Sequence, residues 1–346
     1  MTKIILKIIP VDGYSFGSEN RRPDNKVNYF LKSLPIPQQS TMLGAMRYMF
    51  LKFVADDNIF KDNKIKDKIE AGKLIGEKSF DIEGTNFDMG KIESISEVFL
   101  LQDKTPYLPA PMDSGFAEIT FIGVSKIPNI PDYSAKAHYP KTFTMGDDIV
   151  KFDRIFREVI QSGNKKDNKG DDDDDAYYKR QYYRLDKDWA FGIELSGNDT
   201  CLGKFDKPIF MNMGGENKLF RIEKLEGVSL DRNAILHKHA HSHYIKVVLT
   251  SDAYVVGDPY KNCLFAFSKT KPFRNLKSSV EITLKYQNRS KNSDSMQQSS
   301  LFELIESGSV FYFETSEEAG KFEQQIFNNY LDKAGMNKYV LLETKS

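Results

Sequence analysis

The sequence predicts an α+β protein of two domains, each built on an antiparallel sheet. Three observations predict it. Short apolar, β-branched or aromatic segments recur at residues 3–9, 98–101, 119–124, 191–195, 219–222, 244–249, 264–267, 280–286, 310–314 and 339–342, the lengths and compositions of strands. One segment in each half carries a helical apolar period instead, and Gly- and Pro-containing loops make up most of the rest. At 346 residues the chain is comfortable for two domains of roughly 100–200 residues each. The boundary is placed near residue 235, giving domains 1–235 and 236–346, the first with an insertion at 128–188.

Taken in order, residues 3–9 form the first strand. Residues 10–36 form a loop with Gly13, Gly17 and Pro23 that carries Arg21 and Arg22. Pro37 closes it, Ser40 stands at the N-cap, and Leu43, Met46, Phe50 and Phe53 supply the buried face of the first helix. Residues 56–96 are charged and weakly periodic, and no element is assigned there. Pro106, Pro109 and Pro111 hold the next segment extended. Five aspartates at 171–175 close the run that starts at Lys165; such a run repels itself and lacks the spacing of a calcium loop. The last helix is the clearest: Thr315 and Glu318 form a capping box, Ala319, Phe322, Ile326, Tyr330 and Ala334 share a stripe, and Gly335 ends it.

The net charge is +0, which argues against a free-standing nucleic-acid binder. The charge is unevenly spread, however. Residues 1–54 hold eight basic side chains against three acidic, and residues 269–291, with Lys271 and Arg274, hold seven against one. That polarity suits a protein that meets phosphate on one face and protein on another, or a merely solvated surface. Two cysteines with no CxxC pair fit a reducing cytoplasm. No run of about 18 apolar residues is present to span a membrane, and the lysine-interrupted start does not read as a signal peptide. A cytoplasmic location is therefore expected.

Several groups are candidates for phosphate contact. Ser40, Gly44 and Arg47 are spaced to share a helix face beside Thr41, at a helix start whose N–H groups favour anions. Arg21 and Arg22 lie beside Tyr14, Phe16 and Tyr29, and Lys179, Arg180 and Arg184 alternate with Tyr182 and Tyr183. Arginines interleaved with aromatics suit single-stranded RNA, though the Arg21–Arg22 segment reads equally as a solvated loop. With Arg154 and Arg157 across the acidic run, the second group reads as a basic hairpin over RNA, or as bases neutralised by those aspartates. Gly214-Gly215 is either a backbone-amide turn toward phosphate or an ordinary tight turn. If His237, His239, His241 and His243 lie on a strand, all four share one face; with no third ligand motif nearby no metal is expected, and a polar strand edge or an RNA- or partner-facing surface is the reading. No hydrolase or nucleotide-cofactor motif is present. His138, Tyr139 and Lys141 keep open a metal-free ribonuclease.

Four segments together resemble one known family. Pro37–Arg47 resembles its proline, Ser/Thr, Leu-Gly-Ala-x-Arg helix start, and Leu108–Asp113 its proline-rich strand exit. Met213–Glu216 is similar to its Gly-Gly-Glu turn, and Ser307–Phe313 to its late Gly-Ser-Val strand. In this order they resemble the third subunit of the type III-B CRISPR (Cmr) complex, within the RAMP superfamily. The resemblance implies two ferredoxin-like (RRM-like) domains and no catalytic activity or cofactor. It implies binding of the repeat-derived 5′ tag of the crRNA, and contacts with the large polymerase-like subunit and a neighbouring backbone RAMP subunit. The expected RNA ligands are Arg21, Arg22, Ser40, Thr41, Gly44, Arg47, Lys141, Arg154, Lys179, Arg180, Arg184, Gly214, Gly215, Lys271 and Arg274. The alternatives are a RAMP endoribonuclease that processes precursor crRNA, and the equivalent subunit of another type III complex.

Overall fold

Strand β1 (Thr2–Pro10) is buried on both faces, which explains its nearly unbroken apolar run. Ile4, Leu6 and Ile8 join the larger core cluster, and Ile5 a second one on the opposite face. The computed structural model describes residues 2–17, 29–84, 88–114, 116, 119–123, 127–130, 141–164, 177–240, 243–275 and 299–343. Arg21, Arg22, His138, Tyr139, His241, the aspartate run and the strand expected at 280–286 lie outside the described residues.

Helix α1 (Gln39–Phe53) packs Met42, Leu43, Met46, Met49 and Phe50 onto the even-numbered face of β1. Its N-cap is Gln38, with no side-chain cap, so the expected cap at Ser40 is corrected by two residues. A tertiary tie sets this start: the Gln39 amide donates to Ser96 O at 2.7 Å and accepts from Val98 N at 3.3 Å. The weakly periodic stretch after it holds α2 (Lys68–Ile75), whose signal is a cap rather than a period. The Asp67 carboxylate accepts from Ile69 N and Glu70 N.

β2 (Phe99–Gln102) and β3 (Thr105–Pro109) form a hairpin; β4 (Thr142–Met145) and β5 (Asp148–Lys151) form another. β6 (Phe156–Asn164) and β7 (Tyr177–Leu185) pair antiparallel outside the main sheet. β8 (Trp189–Gly197), α3 (Asp199–Leu202), β9 (Ile209–Met213), β10 (Lys218–Leu225) and α4 (Arg232–Leu236) follow. The main sheet runs β5-β4-β3-β2-β8-β1-β10-β9, with Ile92–Ile95 also paired to β8. Its central order, β10-β1-β8-β2, with α1 after β1 and α3 after β8, matches a split β-α-β-β-α-β unit whose second helix is one turn long. β6 and β7 belong to the long segment inserted between β2 and β8.

The C-terminal sheet contains β11 (Ile245–Leu249), β12 (Phe265–Phe267), β13 (Val310–Phe313) and β14 (Tyr339–Leu342), in the order β12-β13-β11-β14. This repeats the first pattern, with α5 (Ser316–Ile326) before β14 and no helix between β11 and β12 among the described residues. The capping box at Thr315 and Glu318 forms as expected. The expected single helix through Ala334 breaks at Phe327 (ψ 120°), because Asn328 caps a new helix, α6 (Asn329–Lys333), by accepting from Tyr330 N and Leu331 N. His237–His239 forms a turn of 3-10 helix, so the strand on which the histidines would share a face does not form there. The second core cluster joins both sheets, Ile5, Leu101 and Ala190 with Val248, Tyr312 and Val340. Among the described residues no helix is long and apolar enough to cross a membrane.

Candidate nucleic-acid interface

The β6–β7 register decides which side chains share a face. Pairs Arg157↔Arg184, Val159↔Tyr182 and Gln161↔Arg180 alternate with Glu158↔Tyr183, Ile160↔Gln181 and Ser162↔Lys179. Successive residues point to opposite faces, so Arg157, Arg180 and Arg184 lie together and Lys179 lies on the reverse. Arg157 stands directly opposite Arg184. A like-charge cross-strand pair is destabilising by several tenths of a kcal/mol up to about 1, and an anion between the two removes that cost.

The pair of strands is anchored by its base. Gln181 Oε1 accepts from Ser33 N at 3.0 Å, and Tyr14 and Tyr183 exchange both backbone hydrogen bonds at 2.9 Å. Phe156 stacks on Phe152 with ring centroids 4.6 Å apart, and Tyr183 meets both rings edge-on. Residues Tyr29–Leu31 add a parallel strand to β7. This anchoring corrects the expectation of rings free to stack on bases: Tyr14, Phe16, Tyr182 and Tyr183 are all buried. The Tyr29 side chain lies outside the described residues.

Two carboxylates meet the arginine face. Asp12 pairs with Arg184 at 2.8 Å. Glu216 pairs with Arg180, accepts from the Tyr182 hydroxyl at 2.5 Å and lies 3.8 Å from Lys218 Nζ. Burial alone would raise the Glu216 carboxyl pKa; the Tyr182 hydrogen bond and the charges of Arg180 and Lys218 outweigh it and hold it below the ordinary value. Burial and the Glu216 hydrogen bond push the Tyr182 hydroxyl up. The Lys218 ammonium also lies 4.8 Å from the Tyr182 ring centroid.

The Gly-Gly-Glu turn closes inward. Gly215 N donates to Ser15 O at 2.7 Å, so this amide serves the protein rather than an incoming phosphate. Gly214 has φ +71°, and a Cβ there would sit 2.5 Å from Ser15 O. Gly214→Ala is therefore expected to cost about 1–3 kcal/mol through forced backbone strain, read as a lower midpoint in urea denaturation. A change under about 0.5 kcal/mol would contradict the close approach.

The other expected ligands separate. Arg47 is 8% exposed, and its guanidinium donates to Lys78 O at 2.9 Å and Asp88 O at 3.2 Å. Burial lowers its pKa to about 10. The face expected for Ser40, Gly44 and Arg47 is thus divided: Arg47 ties α1 to the α2 region, Ser40 and Thr41 are half-buried, and Gly44 is exposed, with open space where a Cβ would point. Arg154 is exposed at the end of a 3-10 turn, just before β6. Lys141 lies 3.9 Å from Glu306, Lys271 pairs with Asp252 at 2.6 Å, and Arg274 is exposed. The residue pattern placed Arg154 and Arg157 across the acidic run from Arg184, but neither the direct Arg157–Arg184 pairing nor the contact of Asp12 with Arg184 was legible in it. The signal that could have found the pair is symmetry: Arg157 and Arg184 stand equally far from the midpoint of residues 170–171, as partners in one hairpin must.

Comparisons with known proteins agree with this architecture. The profile of the family described as CRISPR-associated protein (Cas_Cmr3) matches residues 135–344. A chain of the cryo-EM structure of the Type III-B Cmr-beta bound to cognate target RNA superposes with a TM-score of 0.53 and 12% identity, covering 97% of this chain and 96% of that one. A chain of the same assembly bound to cognate target RNA and AMPPnP gives a TM-score of 0.52 and 12% identity, over 98% and 99%. No curated protein matches the chain by sequence. At this identity the two structures share the fold with this chain.

Proposed function

The chain belongs to the Cas_Cmr3 family of CRISPR-associated proteins, and on that premise we propose that it is a non-catalytic subunit of a type III-B RNA-guided effector that holds the repeat-derived 5′ tag of the crRNA. In the complex it contacts the large polymerase-like subunit and a neighbouring backbone subunit. The observation that carries the RNA reading is the Arg157–Arg184 pair on an anchored strand pair, with Arg180 on the same face. Two arginines directly opposite each other in the register can meet successive backbone phosphates, and arginine binds phosphate through a rigid fork of donors. Exposed Arg154 extends the basic surface, whereas Lys179 lies on the reverse face. Exposed Gly44, in the second turn of α1, leaves room for a nucleotide backbone, with Arg47 in a supporting position.

The test uses the chain co-expressed with its genomic neighbours and a repeat-spacer array. Arg157→Glu combined with Arg184→Glu is expected to deplete co-purified crRNA and to lower the salt slope of guide binding by about two. Crosslinks from this chain should fall in the 5′ tag. Undiminished crRNA, or crosslinks only near the 3′ end, would remove the assignment. Incubated with repeat RNA in chelator, the purified chain leaves the RNA intact on this reading; a metal-free cut lost on changing His138 or Tyr139 would make it a nuclease instead.

A further inference from the structure

Asp12 and Glu216 meet the same cationic face in different settings. Asp12 is held over Arg184 by the Tyr14–Tyr183 backbone pair next to it, and a Cβ added at Gly13 would meet the Arg184 side chain at 3.7 Å. The pair stands in water, with the Asp12 side chain 74% exposed and the Arg184 side chain 55% exposed. An ion pair so placed contributes at most about 1 kcal/mol, so a competing phosphate displaces it at little cost. Glu216 is more enclosed, and Arg180, its partner, is only 21% exposed at the side chain. It sits in left-handed backbone (φ 57°) at the end of the glycine turn and gathers Tyr182, Arg180 and Lys218 around one carboxylate. Removing it would take away the one carboxylate that Tyr182, Arg180 and Lys218 share.

We propose that Asp12 is a displaceable stand-in for an RNA backbone phosphate, occupying Arg184 until the strand arrives, whereas Glu216 is a fixed brace that orients Arg180 and stays in place when RNA binds. This rests on the reading of the β6–β7 face as an RNA site. It makes two substitutions that remove the same charge act in opposite directions. A displaced Asp12 has only to return to water, so its neutralisation favours RNA. Loss of the Glu216 charge lets Arg180 and Tyr182 reorient, so its neutralisation disfavours RNA.

The experiment measures the Kd of the full chain for a single-stranded RNA of about ten nucleotides, by fluorescence anisotropy at fixed salt. Asp12→Asn is expected to tighten binding several-fold, and Glu216→Gln to weaken it several-fold. Glu158→Gln, the same charge change on the opposite face of β6, leaves binding nearly unchanged. In an Arg184→Gln background the gain from Asp12→Asn disappears, as coupling between the two requires. If all three carboxamide variants tighten binding alike, only net charge is at work and the proposal fails. It fails too if the Asp12→Asn gain survives in the Arg184→Gln background. Asp12 is an exposed position, so these results decide the matter even if Glu216→Gln does not fold. If Arg157→Glu with Arg184→Glu leaves binding intact, the RNA reading of the face falls as well; if that variant weakens binding while Asp12→Asn does not tighten it, the stand-in alone is wrong.

Discussion

Asp113→Ala is expected to destabilise the protein by about 3–5 kcal/mol, the cost of breaking a buried ion pair by removing one partner. Asp113 follows the proline-rich exit of β3, and its Oδ2 faces Lys246 Nζ of β11 at 2.7 Å, with side chains only 5% and 6% exposed. The Tyr312 hydroxyl of β13 donates to the same oxygen, and Lys246 also donates to His239 O at 2.6 Å. Burial first, and the Asp113 charge second, push the Tyr312 hydroxyl pKa far above its ordinary value. The network thus ties the first sheet's exit strand to two strands of the second sheet. Without Asp113 the Lys246 ammonium stays buried and uncompensated. Urea denaturation followed by circular dichroism measures the loss. A paired replacement, Asp113→Leu with Lys246→Met, removes both charges and should recover most of the stability. A cost below about 1 kcal/mol for Asp113→Ala would mean that Lys246 reaches water despite its burial.

Glu97→Gln is expected to cost about 3 kcal/mol at neutral pH, and its cost should shrink in acid. Glu97 is 1% exposed, between Ile92–Ile95 and β2, and Arg232 of α4 grips both of its oxygens, at 2.7 and 2.6 Å. Burial pulls its carboxyl pKa up, but the charge and hydrogen bonds of Arg232 pull harder, and the folded value ends below the ordinary one. A depressed carboxylate contributes stability that is complete above the unfolded value, about 4.3, and that is lost as pH falls through the folded value. Glutamine has no proton to gain in that window. The stability difference between wild type and Glu97→Gln should therefore be largest at neutral pH and diminish below about pH 4. A difference that stays constant down to the acid limit would show that Glu97 does not titrate with folding.

The residues by themselves determined the α+β class, the main strands and the Thr315–Glu318 helix start. Strands such as β1 and β8 declare themselves because β-branched and apolar side chains suit a pleated surface. The capping box declares itself because donor and acceptor lie within four residues. Contacts made at longer range were decided by the tertiary structure. The aromatics beside the arginines read as stacking platforms, yet Tyr14, Phe16, Tyr182 and Tyr183 are buried, because the base of β6–β7 closes over β1 and the first core. Arg47 has the composition of a phosphate ligand, and only the position of Lys78 and Asp88 turns its guanidinium inward. Asp12 and Arg184 meet although they lie far apart in the sequence, and Asp113 with Lys246 joins one sheet to the other. Composition and local spacing report what a segment can do; which face it presents, and which charge it meets, follow from packing between segments that the chain brings together only on folding.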